Sequence, residues 1–215
     1  MLKSSNSTGP NCSAPYTISG AVFPHCANAL FQFHHQPFNY FAAFDPGTPA
    51  GLANRNAHLR DEQEFMQLAQ SSTQKTCNLK PVSFVKPIGE DNEHPGYTGE
   101  TGGSDHLVAL IDAIVKTSCA KDTMVIVTYD EFGGQWDHVP PPGQGNANGP
   151  SDQWGPGTRV PALIVTPFLR GNFVVDHTSY DTTSILATLE KRFGFAPLAS
   201  RDAAVEDLSM VFDAK

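Results

Sequence analysis

Two apolar, β-branched runs constrain the fold of this chain more than any other feature. They are "DTMVIVTYD", residues 122–130, and "VPALIVTPF", residues 160–168. Each run is short and shows little alternation of apolar with polar residues, which is the pattern of a strand covered on both faces. Helices must then lie on both sides of the strands. The two runs therefore predict strands of an α/β sheet.

Helical patterns surround these runs. Residues 58–70 carry apolar side chains at helical spacing, and residues 179–194 do so up to a terminal glycine. Residues 102–118 have a third such pattern, with Ser104 or Asp105 as the predicted cap. Helices and strands that alternate along a chain favour an α/β domain with a mostly parallel sheet.

A shorter strand is predicted between two prolines. The segment "PVSFVKP", Pro81 to Pro87, has the β-branched and aromatic residues of a strand and is bounded by turn-forming residues. It precedes the predicted helix at 102–118 and would add a strand to the sheet.

The charge and hydropathy of the chain argue against a nucleic-acid partner and against a membrane-spanning segment. Its 215 residues carry a formal net charge of -8, and clustered Lys and Arg of the kind that binds phosphate backbones are absent. No apolar run approaches the ~18 residues of a membrane span. We therefore expect neither a nucleic-acid partner nor an integral membrane segment.

The four cysteines leave two interpretations open. Cys12, Cys26, Cys77 and Cys119 show no CxxC spacing, which argues against a zinc site. Two disulfides formed in an oxidising compartment, or buried free thiols, are both consistent with the sequence.

Two acidic residues stand at the carboxyl end of the first strand run. Asp130 and Glu131 are followed by Gly133 and Gly134, which allow a sharp turn. Ligands of α/β sheets bind at this end of the strands. Converging carboxylates repel each other unless a cation or proton is present, so the pair predicts a divalent-metal site. The alternative is that Asp130 caps the turn and Glu131 is solvated.

Histidines adjoin acidic residues after several predicted strands. Asp137 precedes His138, Asp176 precedes His177, and His94 follows a cluster of acids. A carboxylate can orient an imidazole for metal binding or proton transfer, although a structural hydrogen bond is the alternative at each site taken alone. Three such sites after successive strands predict convergence at one edge of the sheet, and with it metal-dependent hydrolysis.

Several motifs together resemble one known family. They are "FHHQPFNYFA", "HLRDEQEF", "VSFVKPIGEDNEHPGY", "IVTYDEFGGQWDHVPPP", "WGPGTRVPALIVTPF" and "VVDHTSYDTTSILATLEKRFG". In this order they resemble the C-terminal half of the phosphoesterase family, which includes bacterial phosphatidylcholine-hydrolysing phospholipases C and acid phosphatases. The first three resemble the acid-phosphatase branch in particular. The resemblance implies the three-layer α/β/α sandwich of the alkaline-phosphatase-like superfamily.

The resemblance implies roles for three histidines. His34 and His35 correspond to a paired-histidine motif that lines the phosphate pocket and stabilises charge on the transferring group. His94 corresponds to a further active-site histidine close to the phosphoryl position. We therefore expect these three residues to be catalytic.

The resemblance also implies one divalent metal ion, whose identity it does not specify. Asp130 and Glu131 correspond to metal ligands of the family. Asp137 and His138 lie in the same motif and are expected to play a supporting role, and His177 is a weaker candidate.

One family feature does not occur in the sequence. The family begins with a Glu-Asn-x-Ser-Phe-Asp segment that supplies further metal ligands, and a Ser or Thr nucleophile follows it. No such segment is present, so we expect residues 1–30 to be irregular and residues 31–215 to be the C-terminal portion of an incomplete phosphoesterase domain. We assign no nucleophile within this chain.

The resulting expectation is a metal-dependent hydrolase of small phosphate esters, an acid-phosphatase-like phosphomonoesterase whose activity as this chain alone is in question. Phospholipase C specificity within the family and a non-catalytic fragment that binds anions or metal are the alternatives. The family resemblance implies a secreted or periplasmic location, although Met1 to Pro10 lacks the apolar region of a signal peptide.

Overall fold

The structure, a computed structural model, describes residue 30 and residues 35–142, 153–169 and 173–212. The chain divides into two units, Met1–Lys121 and Asp122–Lys215. The described residues form a mixed α/β structure with four α-helices and one small sheet. No helix in this described part is long and apolar enough to cross a membrane.

The first unit contains two helices where the sequence predicted one. Helix α1 spans Pro49–His58 and α2 spans Glu62–Gln70. The prediction of one helix over residues 58–70 was wrong at its start, because Asp61 is an extended N-cap whose side chain accepts a hydrogen bond from the amide of Gln63. Helix α1 was missed because Gly and Asn interrupt its apolar pattern.

The third helix of this unit begins earlier than predicted. Helix α3 spans Glu100–Val115 with Gly99 at its N-cap, so the predicted caps Ser104 and Asp105 lie inside the helix. Glycines usually mark helix ends, yet here Gly103 lies in the helix and is buried. Its lack of a side chain lets residues 92–93 pack closely against the helix.

The strand predicted between Pro81 and Pro87 is wrong. Residues 81 and 82 form bends, and residues 83–87 have no regular secondary structure. Val82 and Phe84 are exposed, so this segment does not bury the face that a sheet strand would bury. Extended β-branched segments become strands only where a neighbouring strand accepts their hydrogen bonds.

A buried disulfide lies beside the core of the first unit. Cys77 and Cys119, which are 42 residues apart, are bonded to each other. Cys119 is fully buried and follows α3 in a 3-10 helix, Ser118–Lys121. The disulfide interpretation is therefore confirmed for this pair, and Cys12 and Cys26 lie outside the described residues. The core beside it comprises Leu59, Phe65, Ala69, Ile88, Leu110 and Ile114.

Removal of this disulfide should destabilise the first unit selectively. Closing a loop of this length restricts the unfolded chain, and the expected loss in the double variant Cys77→Ala/Cys119→Ala is about 3 kcal/mol. Native-state amide hydrogen exchange in α2 and α3 should accelerate by about 100-fold. Exchange in the second unit serves as the internal control. Unchanged exchange in α2 and α3 would show that the bond does not stabilise this unit.

The second unit contains the sheet. Strand β1 spans Val125–Thr128, strand β2 spans Ala162–Val165, and both fall within the predicted runs. They pair antiparallel, from Val125 opposite Val165 to Thr128 opposite Ala162. This orientation differs from the predicted parallel sheet. Parallel neighbours need a crossover, usually a helix, and the described residues between β1 and β2 contain none.

The last helix confirms the predicted end at Gly194, but it begins five residues later than the predicted pattern over residues 179–194. Helix α4 spans Ser184–Phe193, and Gly194 ends it in the left-handed conformation with φ of 72°. The amide of Phe195 donates to the carbonyl of Glu190. A glycine at this position avoids the steric cost that a side chain would add. The helix packs beside a 3-10 helix, Leu208–Phe212. An ion pair joins Lys191 of α4 to Asp207, the residue directly before this 3-10 helix.

The buried carboxyl group of Glu190, a residue of α4, interacts with the buried carboxyl group of Asp202. Glu190 and Asp202 are 6% and 4% exposed. Burial and a hydrogen bond to Asp202 raise the pKa of Glu190 above its ordinary value. Burial opposes ionisation of Asp202, but hydrogen bonds from the amides of Leu198 and Ala199 and from Glu190 lower its pKa overall. Of the two carboxyl groups, Glu190 therefore keeps its proton to the higher pH.

The variant Glu190→Gln should alter the pH dependence of folding. A raised pKa in the folded state means that the contribution of Glu190 is greatest at low pH and is lost as the pH rises from about 4 through the folded-state value. Glutamine keeps a hydrogen-bond donor without this loss. The unfolding free energy of the variant should therefore improve relative to the parent as the pH rises, measured by urea denaturation. The exposed Glu206→Gln control should show no such trend, and a constant difference for Glu190→Gln would contradict the raised pKa of Glu190.

Candidate functional site

The carboxylate pair leaves the sheet at the end of β1. Asp130 and Glu131 are both exposed, and the chain then turns at Gly133 and Gly134, whose φ angles are 65° and 72°. The amide of Gly133 donates to Oε2 of Glu131 at 2.6 Å. The predicted glycine turn is thus confirmed, and one carboxylate oxygen of Glu131 stabilises it. Convergence of the two carboxylates on one ion stays a prediction.

Asp137 forms a bidentate ion pair that the sequence did not predict. Nε and Nη2 of Arg159 donate to its two carboxylate oxygens at 2.7 and 2.9 Å, and the amide of Val139 donates to Oδ1 at 3.0 Å. The hydrogen bond from Arg159, followed by that from Val139, holds the pKa of Asp137 far below its ordinary value. Parallel donation of this kind fixes both position and orientation.

His138 is not tightly held by Asp137. Its Nδ1 atom lies 3.5 Å from Oδ1 of Asp137, and the imidazole is 76% exposed. The carboxylate already serves Arg159 and a backbone amide, so the ring is left at the edge of the loop. Asp137 has a structural function in this unit, and the supporting role predicted for the Asp137–His138 pair stays a prediction.

An open pocket lies over this loop. Its volume is about 520 Å³, and it is lined by Phe132, Trp136, Asp137, His138, Pro140 and Thr158 among others. The Trp136 ring is 86% exposed and lies 6.4 Å from the His138 ring, measured between centroids. The pocket directly follows the carboxylate pair in sequence and offers an aromatic wall with polar groups.

Two of the histidines predicted to be catalytic, His35 and His94, belong to the first unit. His35 is half-buried just before the 3-10 helix Pro37–Tyr40, and His34 lies outside the described residues. His94 is exposed, its Nδ1 atom lies 2.8 Å from the carbonyl oxygen of Pro95, and its ring lies 4.9 Å from that of Tyr97. The amide of His94 donates to the side chain of Asn92.

The weaker candidate His177 is exposed in the segment before α4. Its neighbour Asp176 accepts hydrogen bonds from the hydroxyl of Tyr180 at 2.7 Å and the amide of Thr178 at 2.9 Å. Burial, followed by the hydrogen bond to Asp176, raises the pKa of Tyr180 to about 12. Asp176 thus stabilises the conformation of residues 176–180, which precede α4.

The chemistry of the carboxylate pair suits a divalent cation, because hard cations prefer oxygen ligands. Two carboxylates alone are too few to complete the coordination shell of such a cation. Among the described residues, no group of three or more His, Cys, Asp and Glu side chains could hold a metal ion. The pair therefore fits part of a coordination shell.

Comparison with known proteins places the chain in a family. The model of the phosphoesterase family matches residues 16–196. The chain is 34% identical over 163 residues to phospholipase C B of Mycobacterium tuberculosis, covering 63% of this chain and 30% of that protein. It is 27% identical over 168 residues to non-specific phospholipase C6 of Arabidopsis thaliana, covering 69% and 32%. The chain belongs to the phosphoesterase family, and the matches span about a third of the length of these relatives.

Arg159 should control the acidity of Asp137. In Arg159→Gln, the pKa of Asp137 should rise by at least about 1 unit, because loss of an adjacent guanidinium removes the main stabilisation of the carboxylate. Carboxyl ¹³C NMR measures this titration. Arg192→Gln, which alters an arginine in α4, should leave it unchanged. Equal titration of Asp137 in the parent and in Arg159→Gln would contradict the ion pair.

Proposed function

We propose that this chain contributes to a metal-dependent hydrolase of phosphate esters. The observation that carries this proposal is the family motif around β1, in which Asp130 and Glu131 leave the sheet directly before a double-glycine turn. Family membership and the names of the relatives support hydrolysis of a phosphate ester. The carboxylates and histidines of the site are consistent with that chemistry.

In this proposal the carboxylates hold the metal and the histidines stabilise the phosphoryl group. A divalent ion would supply charge neutralisation at phosphate oxygens. Asp130 and Glu131 would provide two of its oxygen ligands, with Glu131 also holding the Gly133 turn. His34, His35 and His94 would donate hydrogen bonds to the phosphate oxygens as negative charge develops on them.

Two specificities are compatible with these groups. The motifs containing His34, His35 and His94 resemble the acid-phosphatase branch and favour a phosphomonoesterase. The names of the relatives favour the second candidate, a phospholipase C that cleaves a phosphodiester. Trp136, whose exposed ring lines the pocket, would offer an apolar surface to a larger ester group.

The whole domain and its location are part of the proposal. The family resemblance supports a three-layer α/β/α sandwich for the complete domain, to which the described helices and strands would belong. It also supports a secreted or periplasmic protein, in which the Cys77–Cys119 disulfide would be stable.

The proposal predicts metal-dependent release of 4-nitrophenol. The chain should be assayed with 4-nitrophenyl phosphate and 4-nitrophenylphosphorylcholine, with Mg²⁺, Mn²⁺, Zn²⁺ or Ca²⁺ and with a chelator. Asp130→Asn and Glu131→Gln should each lower metal-dependent turnover by about 100-fold or more, because an amide weakens a carboxylate metal site. The monoester and the choline ester distinguish the two specificities.

The exposed variants Asp122→Asn and Glu206→Gln are matched controls for loss of one negative charge and should retain parent activity. Absence of metal-dependent turnover of both esters would contradict the enzymatic proposal for this chain. Metal or phosphate binding without turnover, measured by calorimetry, would instead support the non-catalytic alternative.

A further inference from the structure

The segment that carries His94 packs against the first turns of α3. The carboxylate of Glu93 accepts a hydrogen bond from the hydroxyl of Ser104 at 3.0 Å. A Cβ atom at Gly103 would lie 2.4 Å from Cγ of Glu93 and 3.2 Å from the carbonyl carbon of Asn92. Such contact is shorter than a methyl group allows, so the absence of a side chain at Gly103 lets the segment approach the helix.

A buried histidine of the same helix lies between two carboxylates. Nε2 of His106 lies 2.9 Å from Oε1 of Glu62, and Nδ1 lies 3.9 Å from Oδ1 of Asp91. The side chains of Glu62 and His106 are 1% and 12% exposed. The shorter contact does not have hydrogen-bond geometry at Nε2, and the longer exceeds hydrogen-bond length, so both are close polar contacts. They connect α2, α3 and the segment before His94.

The segment is also held on its other side. The amide of Gly89 donates to the carbonyl of Leu30 at 3.1 Å, and Ile88 is almost fully buried. The amide of Tyr97 donates to the carbonyl of His94, which closes a turn around the exposed imidazole. His94 is therefore an exposed group on a fixed backbone.

Burial excludes a direct role for Glu62 in binding a substrate. Glu62 has no exposed surface to offer a phosphate, and its negative charge would repel one. The cluster of Glu62, His106 and Asp91 also does not form a group able to hold a metal ion within the described residues. The cluster is, however, connected through Asp91 to the segment that carries the exposed His94.

We propose that His106 and Gly103 are positioning residues that fix His94 for phosphate binding. His106 holds Asp91 and Glu62 together, and Gly103 provides the close seat for residues 92–93. This inference rests on the proposed function, because it takes His94 to face the phosphate. Buried polar groups cost desolvation unless they are paired, so the mutual contacts of Glu62, His106 and Asp91 are consistent with a geometric role.

The two adjacent glycines of α3 provide a matched test. Gly103→Ala forces Glu93 and Asn92 outwards, whereas a Cβ atom at Gly102 would meet only the side chain of Thr98, at 3.2 Å. Both variants receive the same gain in helix propensity. The ¹³Cε1 and ¹Hε1 signals of His94 should shift in Gly103→Ala and stay at their parent positions in Gly102→Ala. Methyl signals of Leu110 and Ile114 report whether the core is intact.

The buried cluster is tested separately with His106→Gln and Asp91→Asn. His58→Gln, at the exposed C-terminal end of α1, and Asp105→Asn, on the exposed side of α3, are the matched controls. In folded His106→Gln and Asp91→Asn the His94 signals should shift, and the Kd for inorganic phosphate read at His94 should rise about tenfold. The controls should keep the parent values. A purely structural cluster would lower the unfolding temperature without moving these signals.

The outcomes separate the two proposals. If phosphate does not perturb His94 in the parent chain, the role of His94 in the proposed function fails, and the phosphate-free shifts still decide the positioning role. Parent-like His94 signals in folded Gly103→Ala, His106→Gln and Asp91→Asn would overturn it. If one variant does not fold, the other two decide.

Discussion

The antiparallel pairing of β1 with β2 determines the geometry of the candidate site in the second unit. Because Thr128 lies opposite Ala162, the residues that follow β1 and those that precede β2 leave the sheet at the same end. The hydroxyl of Thr128 donates to the carbonyl of Pro161 at 3.0 Å, which extends the pairing by one residue. Asp137 and Arg159 then meet beyond this end. Loss of the pairing would release both sides of the carboxylate loop at once.

The two units share one arrangement of charge. In each, an acidic side chain with polar contacts fixes a segment, and more exposed acidic residues or histidines lie close to it in sequence. Asp137 binds Arg159 while Asp130 and Glu131 are exposed, and Asp91 contacts His106 while His94 is exposed. Fixing functional groups before a ligand arrives reduces the ordering cost of binding. The structural carboxylates are therefore as informative as the proposed catalytic ones.

The sequence predicted the elements with strong local signals. The β-branched runs contain β1 and β2, and Gly194 ends α4 as expected, because these features depend on neighbouring residues alone. The orientation of the strands depends on their connection, which periodicity does not report. The strand predicted at residues 81–87 failed for a related reason, since a strand requires a partner.

The site was predictable in its motifs and less so in its contacts. The motif around Asp130 and Glu131 identified the family, whose model matches residues 16–196. Arg159 was missed because it becomes a neighbour of Asp137 only through strand pairing. His106 lies within the helix predicted at residues 102–118, and its proximity to Glu62 follows from helix packing that spacing within α3 does not encode.

Paramagnetic Mn²⁺ tests the central claim most directly, which is that Asp130 and Glu131 hold a metal at the end of β1. Mn²⁺ broadens amide signals near its binding site in ¹H–¹⁵N spectra. The account predicts selective broadening from Asp130 to Gly134 in the parent chain and its loss in Asp130→Asn/Glu131→Gln. Broadening centred elsewhere, or equal broadening in the parent and the double variant, would contradict the metal site.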